Sequence, residues 1–307
     1  MTTPASVTPA HRDRTTDVVV VGAGPAGIAA AVRLHRSGRA VVVIDKARFP
    51  RDKCCGDGLT TLALRELETL GFEPALVDNW MDIGGARLRS PSGRQVRVPL
   101  DGPGRYAAVA PRLDLDDALV RFARANGVCV LDGHGFRGLE SGIDHVDVDV
   151  EGAGPIRCRY VVAADGMWSP VRKAVGANLE GYRGEWHAFR QYASNVTGPA
   201  GEELIVWFEP DLLPGYAWSF PLPGGRANIG FGVLREDSRR VQDMAELWRD
   251  LLERPHVVEA LGPDVEMEGR HTAWPIPARV DELSLTSGRV LFVGDAAAAT
   301  DVMTGEG

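Results

Sequence analysis

Residues 17–45 read DVVVVGAGPAGIAAAVRLHRSGRAVVVID, and the fold is decided there. Asp17 to Val21 is a nearly continuous β-branched run, the pattern of a strand buried on both faces of a parallel sheet. Gly22, Gly24 and Gly27 follow as G-x-G-x-x-G. Pro25, with Ala26 beside it, suits a first helical turn. Ile28, Ala31, Val32 and His35 then share one helix face, and Gly38 ends the helix. Ala40 to Ile44 reads as a second strand that ends at Asp45. In such a unit the first glycine permits a tight turn and the second lets a pyrophosphate approach the backbone. The third packs helix on strand, so the helix N-terminus faces the phosphates. Asp45 stands near the spacing at which a carboxylate accepts from a ribose hydroxyl. The glycine triplet alone is a weak signal; strand, helix and acid together point to a dinucleotide site.

Further along, Thr60 to Gly71 reads as a helix with Leu62, Leu67 and Leu70 near one side. Short, turn-punctuated segments follow from Val96, then Arg112 to Gly127 is helical again. VDVDVEG (146–152) and CRYVVAADG (158–166) read as strands. Asp165-Gly166 and Gly294-Asp295 each end a strand, where the ligands of open α/β sheets bind. From Gly184 to about Arg279 short aromatic β-runs alternate with Pro/Gly turns, interrupted by one helix near Val241 to Leu252. The organisation expected is a nucleotide domain over 17–183, with possible strands of the insert near 85–110. A β-rich domain over 184–280 follows, then a return segment over 281–307. Residues 1–16 read as a loose tail.

Composition narrows the class. The chain has 307 residues, 44% hydrophobic and 25% charged, enough for a sizeable core. A net charge of -8 gives nucleic-acid binding no support. The four cysteines, Cys54, Cys55, Cys129 and Cys158, match no metal or disulfide spacing, which suits a reducing cytoplasm. The seven histidines form neither a metal triad nor a nucleophile signature. The longest uncharged run, Val18 to Val32, holds the glycine turn and is no membrane span. Peripheral membrane contact stays open, and the sequence sets no oligomeric state.

VVVGAGPAG (19–27), FPRDKCCGDGLT (49–60), PRLDLDDAL (111–119), VVAADGMWSPVR (161–172), LPGYAWSFPLPGGRANIGFGV (213–233) and VGDAAAATDVMTGEG (293–307) carry a resemblance. From Asp17 to Gly307 the chain resembles the geranylgeranyl reductase family of FAD-dependent oxidoreductases, within the aromatic-hydroxylase-like flavoproteins. The resemblance implies an α/β fold (α+β overall): a Rossmann-type FAD-binding domain carrying an inserted β-rich substrate domain. It implies FAD held by the glycine turn, Asp45, Arg112, Asp165, Gly166, Gly294, Asp295, Gly305 and Gly307. Lys46 reads either as a contact at the adenosine end or as a solvated charge. The Cys-Gly loop is expected beside the flavin, with Gly56 giving backbone access to the ring. Cys55 reads either as a proton donor there or as a small packed side chain.

The implied activity is reduction of carbon–carbon double bonds in a prenyl chain, with an apolar or lipid-like substrate. The alternatives are a monooxygenase or halogenase acting on an aromatic compound, and a non-catalytic flavin-binding fragment. No second nucleotide fingerprint is present, so NAD(P)H as a transient visitor and another electron carrier both remain. Among Trp207, Phe208, Tyr216, Trp218, Phe220 and Phe231, two or three are expected to touch substrate. Family members have proline at the position of Val302 and continue past Gly307 with a helical section. The resemblance therefore implies a shortened form.

Overall fold

The computed structural model describes residues 14–306 apart from 101, 103 and 236–240. Gly307 and the first thirteen residues of the expected tail lie outside them. A six-stranded sheet forms the base, in the order Thr286–Ser287, Val290–Phe292, Tyr160–Ala163, Val18–Val21, Val41–Asp45, Cys129–Asp132. All its pairings are parallel except that of Thr286–Ser287. The valine run therefore lies mid-sheet, and alternation sends its side chains two ways. Val18 and Val20 pack under the helices Pro25–Arg36 and Arg112–Ala125. Val19 and Val21 pack with Val146, Val148, Val150 and Ile156 of a second, four-stranded sheet. Each buried valine contributes roughly 1.5–3 kcal/mol relative to exposure.

That four-stranded sheet corrects two expectations. Residues 14–16, expected in the tail, are tied down: Arg14 and Thr15 pair in parallel with Ile156 and Arg157. Thr16 also donates its hydroxyl to the Ala40 carbonyl at 2.8 Å. The run expected as one strand over 158–166 is divided. Gly154–Cys158 joins the four-stranded sheet and Tyr160–Ala163 the central one, with Arg159 N–H turning to the Asp17 carbonyl. The Thr61–Thr69 helix buries Leu64, whereas Leu62 is 70% exposed.

A seven-stranded sheet makes up the other half, ordered Glu266–Ile276, Trp186–Ser194, Arg226–Leu234, Tyr216–Leu222, Leu204–Trp207, Gly85–Arg89, Gln95–Pro99. Helices Val241–Glu253 and Pro255–Leu261 cover one face, over a core of Phe189, Ile205, Ala217, Ile229, Phe231 and Leu251. The alternate residues face the nucleotide half. Leu222 and Phe220 meet Ile83 and Val109 there, next to a small sheet of Gly58–Thr60, Ala107–Val109 and Met81–Asp82. The return strand Val290–Phe292 is fixed by buried Arg172, whose guanidinium lies 3.8 Å over the Phe292 ring. Arg172 also donates to the carbonyls of Ala296 and Ser284 at 2.9 and 3.1 Å. Among the described residues no helix is long and apolar enough to cross a membrane.

Candidate functional site

The glycine turn can be read from what a side chain would strike. Gly22 has φ +105, and a Cβ there would lie 2.2 Å from the Ala164 carbonyl oxygen. A Cβ at Gly27 would lie 1.9 Å from the Gly22 oxygen. The protein's own backbone therefore requires both glycines. Gly24 differs. A Cβ there would meet nothing nearer than the guanidinium groups of Arg51 and Arg112, at 3.7 and 3.8 Å. That space is open to a ligand, at the N-terminus of the helix that Pro25 and Ala26 begin.

The two arginines share one acid. Arg112 grips Asp116 with Nε and Nη2 at 2.7 and 2.8 Å, and Arg51 Nη1 reaches the same carboxylate at 2.6 Å. Asp116 is fully buried. Burial opposes the charge on Arg112, yet Asp116 and the neighbouring Cys55 outweigh it, so its pKa is raised. Two cations against one anion leave a net positive charge facing Gly24. Asp45 accepts from the backbone N–H groups of Ala23 and Ala47, both at 2.8 Å, and each oxygen keeps a second lone pair. Lys46 beyond it is exposed.

The strand-end acids have distinct surroundings. Asp165 Oδ2 accepts from Val171 N–H at 2.9 Å, capping the short Pro170–Ala174 helix. Its Oδ1 is buried without a protein donor, and burial raises the pKa of the carboxyl. Gly166 follows at φ +83. Gly294, at φ +57, abuts Ala26, where a Cβ would come within 2.9 Å of the alanine Cβ. Asp295 is paired with Lys53 at 3.0 Å. Gly305, at φ +72, belongs to the 301–306 turn, and Glu306 then accepts from Thr60 N–H at 2.7 Å.

Those last contacts lead to the Cys-Cys-Gly-Asp-Gly loop. Asp52 pairs with Arg190 at 2.9 Å. Cys54 Sγ accepts from the Thr272 hydroxyl at 3.3 Å, and Cys55 Sγ from Asp57 N–H at 3.4 Å; both thiols are free. Burial pushes the Cys54 thiol pKa up. Asp57 is buried in a left-handed conformation, φ +65. Its Oδ1 accepts from Arg112 N–H at 3.2 Å. Its Oδ2 accepts from the Tyr192 hydroxyl and Asn228 Nδ2, both at 2.7 Å. Burial pushes the Asp57 carboxyl up to about 6, against the hydrogen bonds from Asn228 and Tyr192. Asn228 also donates to the Cys55 carbonyl at 2.8 Å.

Facing this loop, Tyr216, Trp218 and Phe220 form a ladder with ring centroids 6.2 and 6.0 Å apart, and Phe208 stands 5.9 Å from Tyr216. A Cβ at Gly56 would come within 3.3 Å of Phe220 and 3.4 Å of Trp218; one at Gly58 would reach Phe220 at 2.9 Å. These two glycines admit the aromatic sheet, a role not anticipated for Gly56. Trp207 and Phe231, expected among substrate contacts, lie on the opposite face. They are buried with Phe189 and Trp248 beneath the helices, because their strand positions have the other parity.

The family described as FAD binding domain matches residues 15–307. A menaquinone reductase of Mycobacterium tuberculosis is 35% identical, the match covering 96% of this chain and 73% of the relative. Digeranylgeranylglycerophospholipid reductase 2 of Methanopyrus kandleri is 33% identical over 95% and 72%. The chain belongs to the FAD-binding domain family, in its geranylgeranyl reductase branch. A solved geranylgeranyl bacteriochlorophyll reductase-like protein of Thermoplasma acidophilum shares the fold, with a TM-score of 0.80 at 23% identity over 96% of this chain and 75% of that one. This member of the branch is thus a FAD-dependent oxidoreductase.

Two observations fit FAD: the room for an added atom over Gly24 between two arginines, and the buried Asp165 oxygen without a protein donor. Arg51, Asp116, Asp57, Arg190, Tyr192 and Asn228 were missed as site residues in the sequence reading. Asp116 had a signal, its i,i+4 spacing from Arg112 on a helix. Arg51 stands in a loop with no comparable signal. Arg190, Tyr192 and Asn228 come from strands whose inward parity only the sheet pairing reveals.

Proposed function

We propose that this oxidoreductase saturates carbon–carbon double bonds in the prenyl chain of a quinone or lipid. One observation carries the reading: the Tyr216–Trp218–Phe220 face opposes the Cys55 loop while the polar groups between them are committed to one another. Asp57, Tyr192 and Asn228 satisfy each other's hydrogen bonds, so none is left over to recognise a polar substrate. An aromatic wall of this kind suits an apolar chain. The related reductases named above support the same class of substrate.

Arg51, Arg112, Gly24 and the Pro25–Arg36 helix N-terminus would hold the pyrophosphate of FAD, and Asp45 and Asp165 its hydroxyls. Reduced FAD supplies a hydride. The remaining work falls to the chain. An isolated alkene accepts hydride poorly, so a proton must reach the second carbon with it or before it. Cys55 is the group assigned to bear that proton, and the aromatic face excludes water from the developing cation. NAD(P)H or another carrier would reduce the flavin. The apolar substrate would be met at the cytoplasmic face of a membrane by peripheral contact.

The test is anaerobic. Protein carrying dithionite-reduced FAD is mixed with a prenylated quinone whose ring is already reduced, so only the chain can accept electrons. Reoxidation of the flavin with gain of two hydrogens in the chain, read by mass spectrometry, is the expected result. Substrate-dependent oxygen uptake with hydroxylation or halogenation of an aromatic compound, and no anaerobic reoxidation, would replace this reading.

A further inference from the structure

The buried acid between the two loop glycines has no place in the mechanism above. We propose that Asp57 is a positioning residue: its ionised carboxylate clamps the Cys55–Gly58 turn between the Arg112 helix and the seven-stranded sheet, and the site works only while that charge is present. The inference rests on the reading of this loop as part of the active site.

Geometry makes the argument. Three donors converge on Asp57 from three different elements: Arg112 N–H from the nucleotide half, and Tyr192 Oη and Asn228 Nδ2 from adjacent strands of the sheet. Both carboxylate oxygens are used as acceptors. Oδ2 has both lone pairs taken, so a proton there would face Asn228 Nδ2, whose amide cannot simply turn because it also serves the Cys55 carbonyl. Only the Tyr192 hydroxyl can reorient. The hydrogen bonds therefore favour the anion, against the burial that favours the acid.

The loop reports on the clamp through Cys55. The Asp57 N–H donates to Cys55 Sγ, and Asn228 holds the Cys55 carbonyl, so the residue that carries the charge and one of its donors also position the thiol. Charged and polar groups surround the carboxylate from each element packed on it. Arg190 and Tyr192 come from one strand, Asn228 from the next and Arg112 from the helix, while on its own loop Asp52 pairs with Arg190 and Cys55 accepts from the Asp57 N–H. Burial pushes the carboxyl up to about 6, so the charge is lost within reach of physiological pH while the loop stays packed. Below that value the ionised fraction falls about tenfold per pH unit.

Asp57→Asn tests the idea in the FAD-loaded protein, since asparagine tolerates the left-handed backbone and keeps the shape. Turnover of wild type should fall on the acid side near pH 6. The variant should lose that limb and run at least about tenfold slower at pH 7.5, the order expected when charge-assisted hydrogen bonds are lost. Tyr192→Phe, a milder change, should move the limb upward in pH because the anion loses a donor. A second readout needs no substrate: alkylation of Cys55 by iodoacetamide in a Cys54→Ser background, located by peptide mass spectrometry. The variant-to-wild-type rate ratio should exceed about fivefold at pH 8 and approach one at pH 5, where wild type is protonated as well. An Asp57→Asn protein with wild-type turnover, or an acid limb that survives the substitution, overturns the proposal. So does an alkylation ratio that stays flat with pH. Should prenyl substrates fail while the alkylation ratio behaves as described, the substrate reading falls and the clamp stands.

Discussion

The two glycine turns of the site, Gly22–Gly27 and Gly56–Gly58, resemble each other in sequence and differ in what they make room for. In the first, Gly22 and Gly27 yield space to the protein's own backbone, and Gly24 leaves space that the protein does not use. In the second, both glycines yield to the rings of Phe220 and Trp218, so the space is already filled. A glycine beside a ligand site therefore means nothing until one asks what its missing Cβ would strike. The charge patterns differ in the same way. At the first turn, Asp116 sits on a helix and is shared by Arg51 and Arg112, leaving a net positive surface. The second turn carries its acid, Asp57, within itself and surrounds it with donors.

The largest expected effect lies in the first turn. Gly27→Ala forces a Cβ to within 1.9 Å of the Gly22 oxygen. Backbone cannot give way as a flexible side chain does, so stability should fall by more than about 4 kcal/mol, as an exceptional single substitution does. Soluble yield and thermal melting measure it; a stable Gly27→Ala protein would undo the reading of that turn. Next comes Asp116→Asn, which leaves two arginines with a buried neutral amide and should cost about 3 kcal/mol. Added FAD should recover more of that loss than it adds to wild type, because its phosphates would replace the missing anion. Equal stabilisation of both proteins would mean that these arginines do not face the ligand.

The acid of the second turn predicts a pH dependence that the first turn lacks. The folded pKa of Asp57 is raised to about 6 from 3.8. Its contribution to stability is therefore fully present below about pH 4 and lost as pH rises through about 6, an effect of about 3 kcal/mol. Asp57→Asn should remove that slope, so the Tm of wild type relative to the variant rises as pH falls from 6.5 to 4. A gap constant with pH would place the titrating group elsewhere. Smallest is Gly58→Ala, where the 2.9 Å contact is with a ring edge that can shift. It should cost about 1–2 kcal/mol, with Phe220→Leu restoring most of it in a double-mutant cycle. Two costs that simply add would show that Gly58 and Phe220 do not share the space.

What the sequence disclosed follows the range of its signals. Val18–Val21, the glycine triplet and Asp45 are contiguous, so local period and turn chemistry were enough to place the nucleotide half. Arg112 and the Cys-Gly loop came from resemblance. The aromatic face was harder: Trp207 and Trp218 look alike in sequence, and only the pairing of Val206 with Trp218 and of Trp218 with Gly230 tells which side each takes. Asp57 stands in a Gly-Asp-Gly stretch that carries no mark of its role, because a buried left-handed aspartate has the same letters as an exposed one. The break at Arg159 was invisible for a similar reason: a β-rich run does not say that it serves two sheets.

The most direct test of the account is retention of FAD by the purified chain after loading and desalting, wild type beside Gly24→Ala. An added Cβ at Gly24 meets only ordinary contact distances within the protein, so both should melt alike. Wild type is expected to keep a bound-flavin absorption spectrum, and Gly24→Ala to lose it with an affinity drop of about a hundredfold, about 3 kcal/mol. Equal retention by the two proteins, or no retention by either, would contradict the claim that this opening is where the chain holds its cofactor.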